Sequence, residues 1–325
     1  MKKLLLAAAV AVASGSANAA TIYENGGFEY KVNGDLQVQL RQKSGDDKNP
    51  DIEFDDLELK NYVSYQLNDD MTAFGRVDFG FKDAANDDGD DDGASLEEAY
   101  VGLAFGGTSI SFGKQNTAGD EFGIEEAIET HTDEDRFDAV GATDGDDVIR
   151  IDSDLGNVYL VASYELESDG NSSENGEYVD LFASTEFGGL ELAAAYQEWN
   201  DVDVQSGGSD ETVDTWGVSA AYDFGIATLA ADYSESDSNF DASEHNADQY
   251  NLAAVFAAAE TTDIAIGMTE TSYDDLVGDE DVTEWYANVT YAFPAHKNVT
   301  VFAEIADTDE ENADVGYLAG MRIKF

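Results

Sequence analysis

The sequence predicts an all-β fold, a sixteen-stranded antiparallel transmembrane β-barrel, and three observations carry that prediction. Segments of about ten residues alternate apolar and polar side chains through the chain after Ala20, among them LELKNYVSYQL (57–67), TAFGRVDFGF (72–81) and NVYLVASYEL (157–166), which is the length and pattern of a tilted strand crossing a bilayer. The connections between these segments are alternately short and long. No stretch after Ala20 approaches 18 consecutive apolar residues, which excludes a helical membrane protein.

The chain opens on MKKLLLAAAVAVASGSANAA, with Lys2 and Lys3, an apolar run from Leu4 to Ala13 and the small-x-small triplet Ala17-Asn18-Ala19. This is the pattern of a secretory signal peptide over residues 1–19, too short in its apolar part for a spanning helix. Residues 20–325 are then the barrel domain. Residues 1–19 hold two lysines and no acid, so their removal takes the formal charge from −56 to −58. With 71 acids against 15 bases, binding to nucleic acid is excluded, because a phosphate backbone would be repelled. The absence of cysteine rules out disulfide staples and cysteine-ligated metal. Only Pro50 and Pro294 occur, and no linker interrupts the texture.

Short connections fall at Asn68-Asp69-Asp70, Gly106-Gly107, Leu155-Gly156-Asn157, Gly188-Gly189, around Gly225, at 259–262 and at 294–298. Long acidic ones fall at 43–51, 83–94, 116–146, 168–176, 201–210, 236–247, 273–281 and 307–312. Seven turns and eight loops separate sixteen strands, an even count of the size that leaves an aqueous channel. Tyr65, Phe105, Phe112, Tyr164, Phe187, Tyr222, Phe224, Tyr291 and Phe293 stand near strand ends, as an interfacial girdle requires. A propeller would show a repeated blade motif, and none is present. At the C-terminus, Val315, Tyr317, Ala319, Met321, Ile323 and Phe325 share one parity, so the last strand has a lipid-directed apolar face.

Parity also sorts the bases. The lipid face of each strand is read from its apolar residues, which turns Arg41, Lys60, Arg76, Lys82 and Arg150 toward the lumen, since a cation facing lipid at the midplane costs about 2–4 kcal/mol. Lys114 shares parity with Ile110 and Phe112 and is left undecided. No base at all occurs from Ile151 to His296.

The stretch EEAYVGLAFGGTSISFGKQNTAGDEFG (97–123) with DDVIRIDSDLGNVYLVASYELE (146–167) resembles the trimeric general-diffusion porins of Gram-negative outer membranes. Ala99–Leu103, the Gly106-Gly107 turn, Gly113-Lys114-Gln115 and Asp120-Glu121-Phe122-Gly123 match that family's ordered motifs, with Asp where the family has Pro. ANAATIYENGG at the front resembles its cleavage site and first strand. The resemblance implies that the third loop folds into the lumen and that Asp120, Glu121, Glu125, Glu126 and Glu129 form the acidic side of a constriction facing the basic wall. It implies a homotrimer in outer-membrane lipid and lipopolysaccharide, with Phe325 as the assembly signal read by the barrel-assembly machinery. It further implies passive diffusion of small hydrophilic solutes and cations with no cofactor. Glu97-Glu98 stand where the family has an arginine, which shifts the expected preference toward cations.

Rival readings are weaker. Asp88, Asp90, Asp92 and Gly93 start like a calcium loop, but position 12 would be Ala99 instead of a bidentate Glu, so no metal site is assigned. His131, His245 and His296 are not joined to serines in a hydrolase pattern, and no catalytic residue is assigned. A sugar-specific channel needs an aromatic track, for which Tyr100, Tyr159, Phe182 and Trp199 are isolated candidates. A structural or adhesive barrel would be smaller or carry a plug domain.

Overall fold

The computed structural model describes residues 20–45, 48–82, 85, 94–130, 134–166, 177–203, 210–239, 246–273, 281–310 and 312–325. Seventeen strands form one antiparallel sheet: β1 Ala20–Asn25, β2 Phe28–Gln42, β3 Asp51–Asn68, β4 Met71–Gly80, β5 Ser95–Phe105, β6 Thr108–Asn116, β7 Asp144–Asp154, β8 Val158–Glu165 and β9 Glu177–Phe187. The second half continues with β10 Leu190–Asp203, β11 Asp210–Asp223, β12 Ala227–Ser238, β13 Ala247–Ala259, β14 Thr262–Tyr273, β15 Val282–Phe293, β16 His296–Thr308 and β17 Gly316–Lys324. Each strand pairs with the next, and β17 closes onto β2.

Seventeen segments make sixteen barrel positions because β1 and β17 share one. β1 pairs with the first part of β2 (Ala20↔Val32, Asn25↔Phe28), and β17 pairs with the rest of the same edge (Lys324↔Asp35, Tyr317↔Gln42). Phe325 exchanges both backbone hydrogen bonds with Gly34, at 2.9 and 3.0 Å, so the end of β17 abuts the start of β1. This adds an eighth short turn, Gly26-Gly27, to the seven expected. At Gly26-Gly27, Gly106-Gly107 and Gly188-Gly189 both central residues have positive φ, the two-residue hairpin whose twist matches that of its strands and that disfavours side chains.

Alternation divides the faces as the period-2 rule requires. Along β13, Ala247, Gln249, Asn251, Ala253 and Val255 are buried while Tyr250, Leu252 and Phe256 are exposed. The buried set faces the lumen and the exposed set faces outward. A bulge opposite Leu36 to Val38, at Asp55-Asp56, flips the parity of β3, so that Ile52 and Phe54 share a face with Leu57 and Leu59. Seven of the nine girdle aromatics flank the short turns, six of them strongly exposed: Tyr65, Phe105, Phe187, Tyr222, Phe224 and Phe293. Phe112 and Tyr164 lie instead toward the long-loop side.

Toward the long loops, the outer face carries a second belt. Tyr196 donates to Asp214 at 2.6 Å, Tyr233 to Glu235 at 2.7 Å and Tyr164 to Glu177, while Trp216, Tyr233 and Tyr250 stack in sequence at 5.3 and 4.8 Å. Trp285 and Tyr317 continue it. The belt spans β8 to β17. Among the described residues, no Tyr or Trp faces outward in the corresponding half of β2 to β7.

Candidate functional site

The connection between β6 and β7 holds the candidate site. Its neck is tied by Thr117 N–H to the Thr143 carbonyl (2.8 Å) and Thr117 Oγ1 to the Ala142 carbonyl (2.7 Å). A short 3-10 turn, Gly119–Glu121, follows, and a five-residue helix α1, Arg136–Val140, precedes the return. Asp135 caps α1 by accepting from Phe137 N–H at 2.7 Å and Asp138 N–H at 3.2 Å.

The loop bonds to inward-facing side chains of many strands. Ala118 N–H donates to Ser163 on β8 (2.7 Å), and Ala142 exchanges two bonds with Gln197 on β10 (2.9 and 3.0 Å). Arg136 N–H donates to Ser234 on β12, and Glu134 carbonyl accepts from Gln249 and Asn251 on β13. Glu126 N–H donates to the Tyr286 hydroxyl on β15 at 2.8 Å. The Glu304 carboxylate on β16 accepts from Ile128, Glu129 and Thr130 N–H at 2.5 to 3.0 Å, from the Thr130 hydroxyl at 2.8 Å and from Asn288 at 2.9 Å. Phe122 and Phe137 pack with Ala118, Tyr159, Val161, Phe182, Ala193 and Ala195. The inward face of β8 to β10 is therefore apolar under the loop, not wet throughout as alternation alone implies. Tyr159 and Phe182 belong to this packing, while Trp199 stacks on Tyr178 and Tyr100 meets Phe74 edge-on. The four do not line up as a track.

The five acids expected on one side of a constriction are distributed around the loop. Glu121 pairs with Arg150, and Glu129 pairs with Arg41 at 3.3 Å. Asp120 accepts from Asn116 at 2.6 Å and opens onto a cavity of about 480 Å³ lined also by Lys60, Arg76, Glu97, Glu98 and Lys114. Glu125 and Glu126 lie near Asp232, Glu134 and Asp263, on the side without bases. Burial raises the carboxyls of Asp120 and Glu121. Burial, with Glu134, Asp263 and Glu125 adding repulsion, lifts Glu126 to about 7. Burial and Asp55 lift Glu129 to about 8 against the pull of Arg41 and Lys82.

The bases also acquire partners. Arg41 meets Glu53 at 3.0 Å, Arg76 meets Asp78 and Glu98 at 2.5 and 2.7 Å, Arg150 meets Asp152 at 2.8 Å, and Lys60 meets Glu58. Lys82 lies past the end of β4 and is exposed, where strand parity does not apply. Lys114 is settled by a bulge: Gly113 has φ 126° and the register shifts there, placing Lys114 on the cavity wall, 2.6 Å from Asp146. Two further inward bases stand on β17, on the parity opposite its lipid-directed face: Arg322 (2.7 Å from Asp35, 2.6 Å from Asp56) and Lys324 (3.3 Å from Asp35). Glu304 was missed. Its signal was present: a carboxylate on the lumen parity of a strand in the acid-rich half has to find its donors elsewhere. His131, His245 and the calcium-like run 87–93 lie outside the described residues.

A family model described as Gram-negative porin matches residues 6–313. The chain belongs to that family. The porin is 29% identical to porin-like protein H of Photobacterium profundum over the full length of both chains. Its fold matches the trimer form of OmpT from Vibrio cholerae with a TM-score of 0.77 at 20% identity, covering 92% of this chain and 100% of that one. It also matches an anion-selective porin from Comamonas acidovorans at 0.76 and 11% identity, with the same coverage. At such identities the likeness speaks for the fold and leaves selectivity to the pore's own side chains. The porin is an outer-membrane barrel that forms a channel.

Proposed function

We propose that this porin is a cation-selective general-diffusion channel whose third loop forms the constriction. One observation supports the sign: among the described residues, each of the eight inward-facing bases on the strands is already paired. Lys31 meets Glu29 at 2.9 Å, and Arg41, Lys60, Arg76, Lys114, Arg150, Arg322 and Lys324 have the partners given above. A base flanked by one or two carboxylates presents little positive potential to a passing anion. The remaining excess of charge is acidic, with Asp120, Glu125 and Glu126 on the loop. Selection is therefore by size and by a negative lumen. The reading of the chain as a channel without catalysis rests on the same lumen, and the absence of an aromatic track favours general diffusion over a sugar-specific path.

The test is the reversal potential in a salt gradient for the variant D120N/E121Q/E125Q. Cation selectivity should fall strongly, whereas neutralising Asp90, Asp91 and Asp92 should change it little. Equal effects from both triples would remove the loop from the constriction.

The homotrimer, the signal peptide over residues 1–19 and the partners in lipid, lipopolysaccharide and assembly machinery belong to this proposal too. The missing outer belt on β2 to β7 favours that face as the one covered by neighbouring subunits, because interfacial Tyr and Trp serve where headgroups are met.

A further inference from the structure

Loop residues 126–130 are held to β15 and β16 by bonds onto Glu304, Tyr286 and Asn288. The return limb lies against a wall that holds no base of its own, since no Lys or Arg occurs from Ile151 to His296. The loop's one base is Arg136. Its side chain is fully buried, 1% exposed, at the first position of α1. Its backbone N–H donates to Ser234 at 3.1 Å, its Nε donates to Ser236 at 3.0 Å, and its guanidinium stands 5.7 Å from the centre of the Tyr273 ring. These contacts join α1 to β12 and β14. On either side of Arg136, the limb is held to the wall by neutral groups, Gln249 and Asn251 on the Glu134 carbonyl and Gln197 on Ala142.

We propose that Arg136 is the positioning residue that seats the return limb of the third loop against β12 to β14 and so fixes the width of the passage. The physical ground is the fork geometry of a guanidinium. It directs its Nε donor to the Ser236 hydroxyl on one strand while its plane stands over the Tyr273 ring of another, which a compact ammonium does not reproduce. A buried charge of this kind also disfavours any state in which the limb lifts partway and leaves it without donors' partners. The loop is then seated at two places, its tip by an anion on the barrel and its return limb by a cation of its own.

This inference rests on the reading that the loop forms the constriction. If the triple neutralisation at Asp120, Glu121 and Glu125 leaves selectivity unchanged, that reading fails whatever Arg136 does. The test for Arg136 is single-channel recording of R136Q, R136K and S236A, each with the melting of the folded barrel followed on the same preparation. Loss of one charge-assisted hydrogen bond should raise the frequency of brief closures about tenfold in R136Q. The melting temperature should hold, R136K should restore part of the quiet current, and S236A should fall between. A folded R136Q with the current noise of the unmodified porin overturns the proposal. So does a lowered melting temperature with unaltered noise, which would make Arg136 a packing residue only. If R136Q does not fold, S236A decides, because it keeps the arginine and removes its Nε acceptor: unchanged noise overturns the proposal and raised noise supports it.

Discussion

Glu126 and Glu129 illustrate how strongly position alters a side chain that looks ordinary in the sequence. Both begin from a usual value near 4.5, and burial with neighbouring acids lifts them to about 7 and about 8. They are neutral at pH 6 and charged at pH 9. Cation selectivity should therefore rise across that window, and E126Q/E129Q should flatten the rise; a reversal potential independent of pH in the unmodified porin would count against it. The same shifts act on stability with the opposite sense. The folded state holds these protons more tightly than the unfolded one, so their contribution to stability falls as pH rises from about 4.5 through 8.

The third loop is one connection in the sequence and, in the structure, a neck, a tip and a return limb each bonded to side chains of the strands. Glu304 holds the tip with one carboxylate that accepts five hydrogen bonds. Glu304→Ala leaves three backbone donors without their acceptor, at a cost of about 1–3 kcal/mol for each left unsatisfied. Open-channel noise should increase while the barrel strands melt as before. A quiet E304A channel would mean that other bonds suffice for the tip. The base of the loop depends on packing instead. A Cβ at Gly217 would stand 2.5 Å from Phe122 Cζ, so Gly217→Ala should displace Phe122 and destabilise the loop's attachment by about 1–3 kcal/mol, read as faster proteolysis within residues 117–143.

The barrel as an assembly makes its own predictions. Val101 on β5, 64% exposed, points from the beltless face, and Leu252 on β13, 55% exposed, points from the belted one. The chain has no native cysteine. Val101→Cys should give cross-linked subunits in membranes and Leu252→Cys should not; the reverse would place the subunit contact on the other side. Phe325, paired with Gly34 where β17 meets β1, should be needed for assembly. Its deletion is expected to lower the yield of folded barrel without altering the conductance of channels that do form.

Strand number, faces and the short-turn side were legible because a two-residue period bounded by glycine turns is a local signal, read within ten residues at a time. The inward direction of Arg41, Arg76 and Arg150 followed from that period. Lys114 did not, because a bulge at Gly113 shifts the parity, and a bulge is a matter of pairing with β7. The shared position of β1 and β17 joins residues about three hundred apart, beyond any periodicity. Acidity of the loop was plain in the composition, yet its distribution was not. Glu121 and Glu129 meet bases 29 and 88 residues away, and Glu304 meets amides 174 to 176 residues away. Charge balance inside a closed barrel is set by which walls face one another across the lumen, and closure of the sheet brings those walls together.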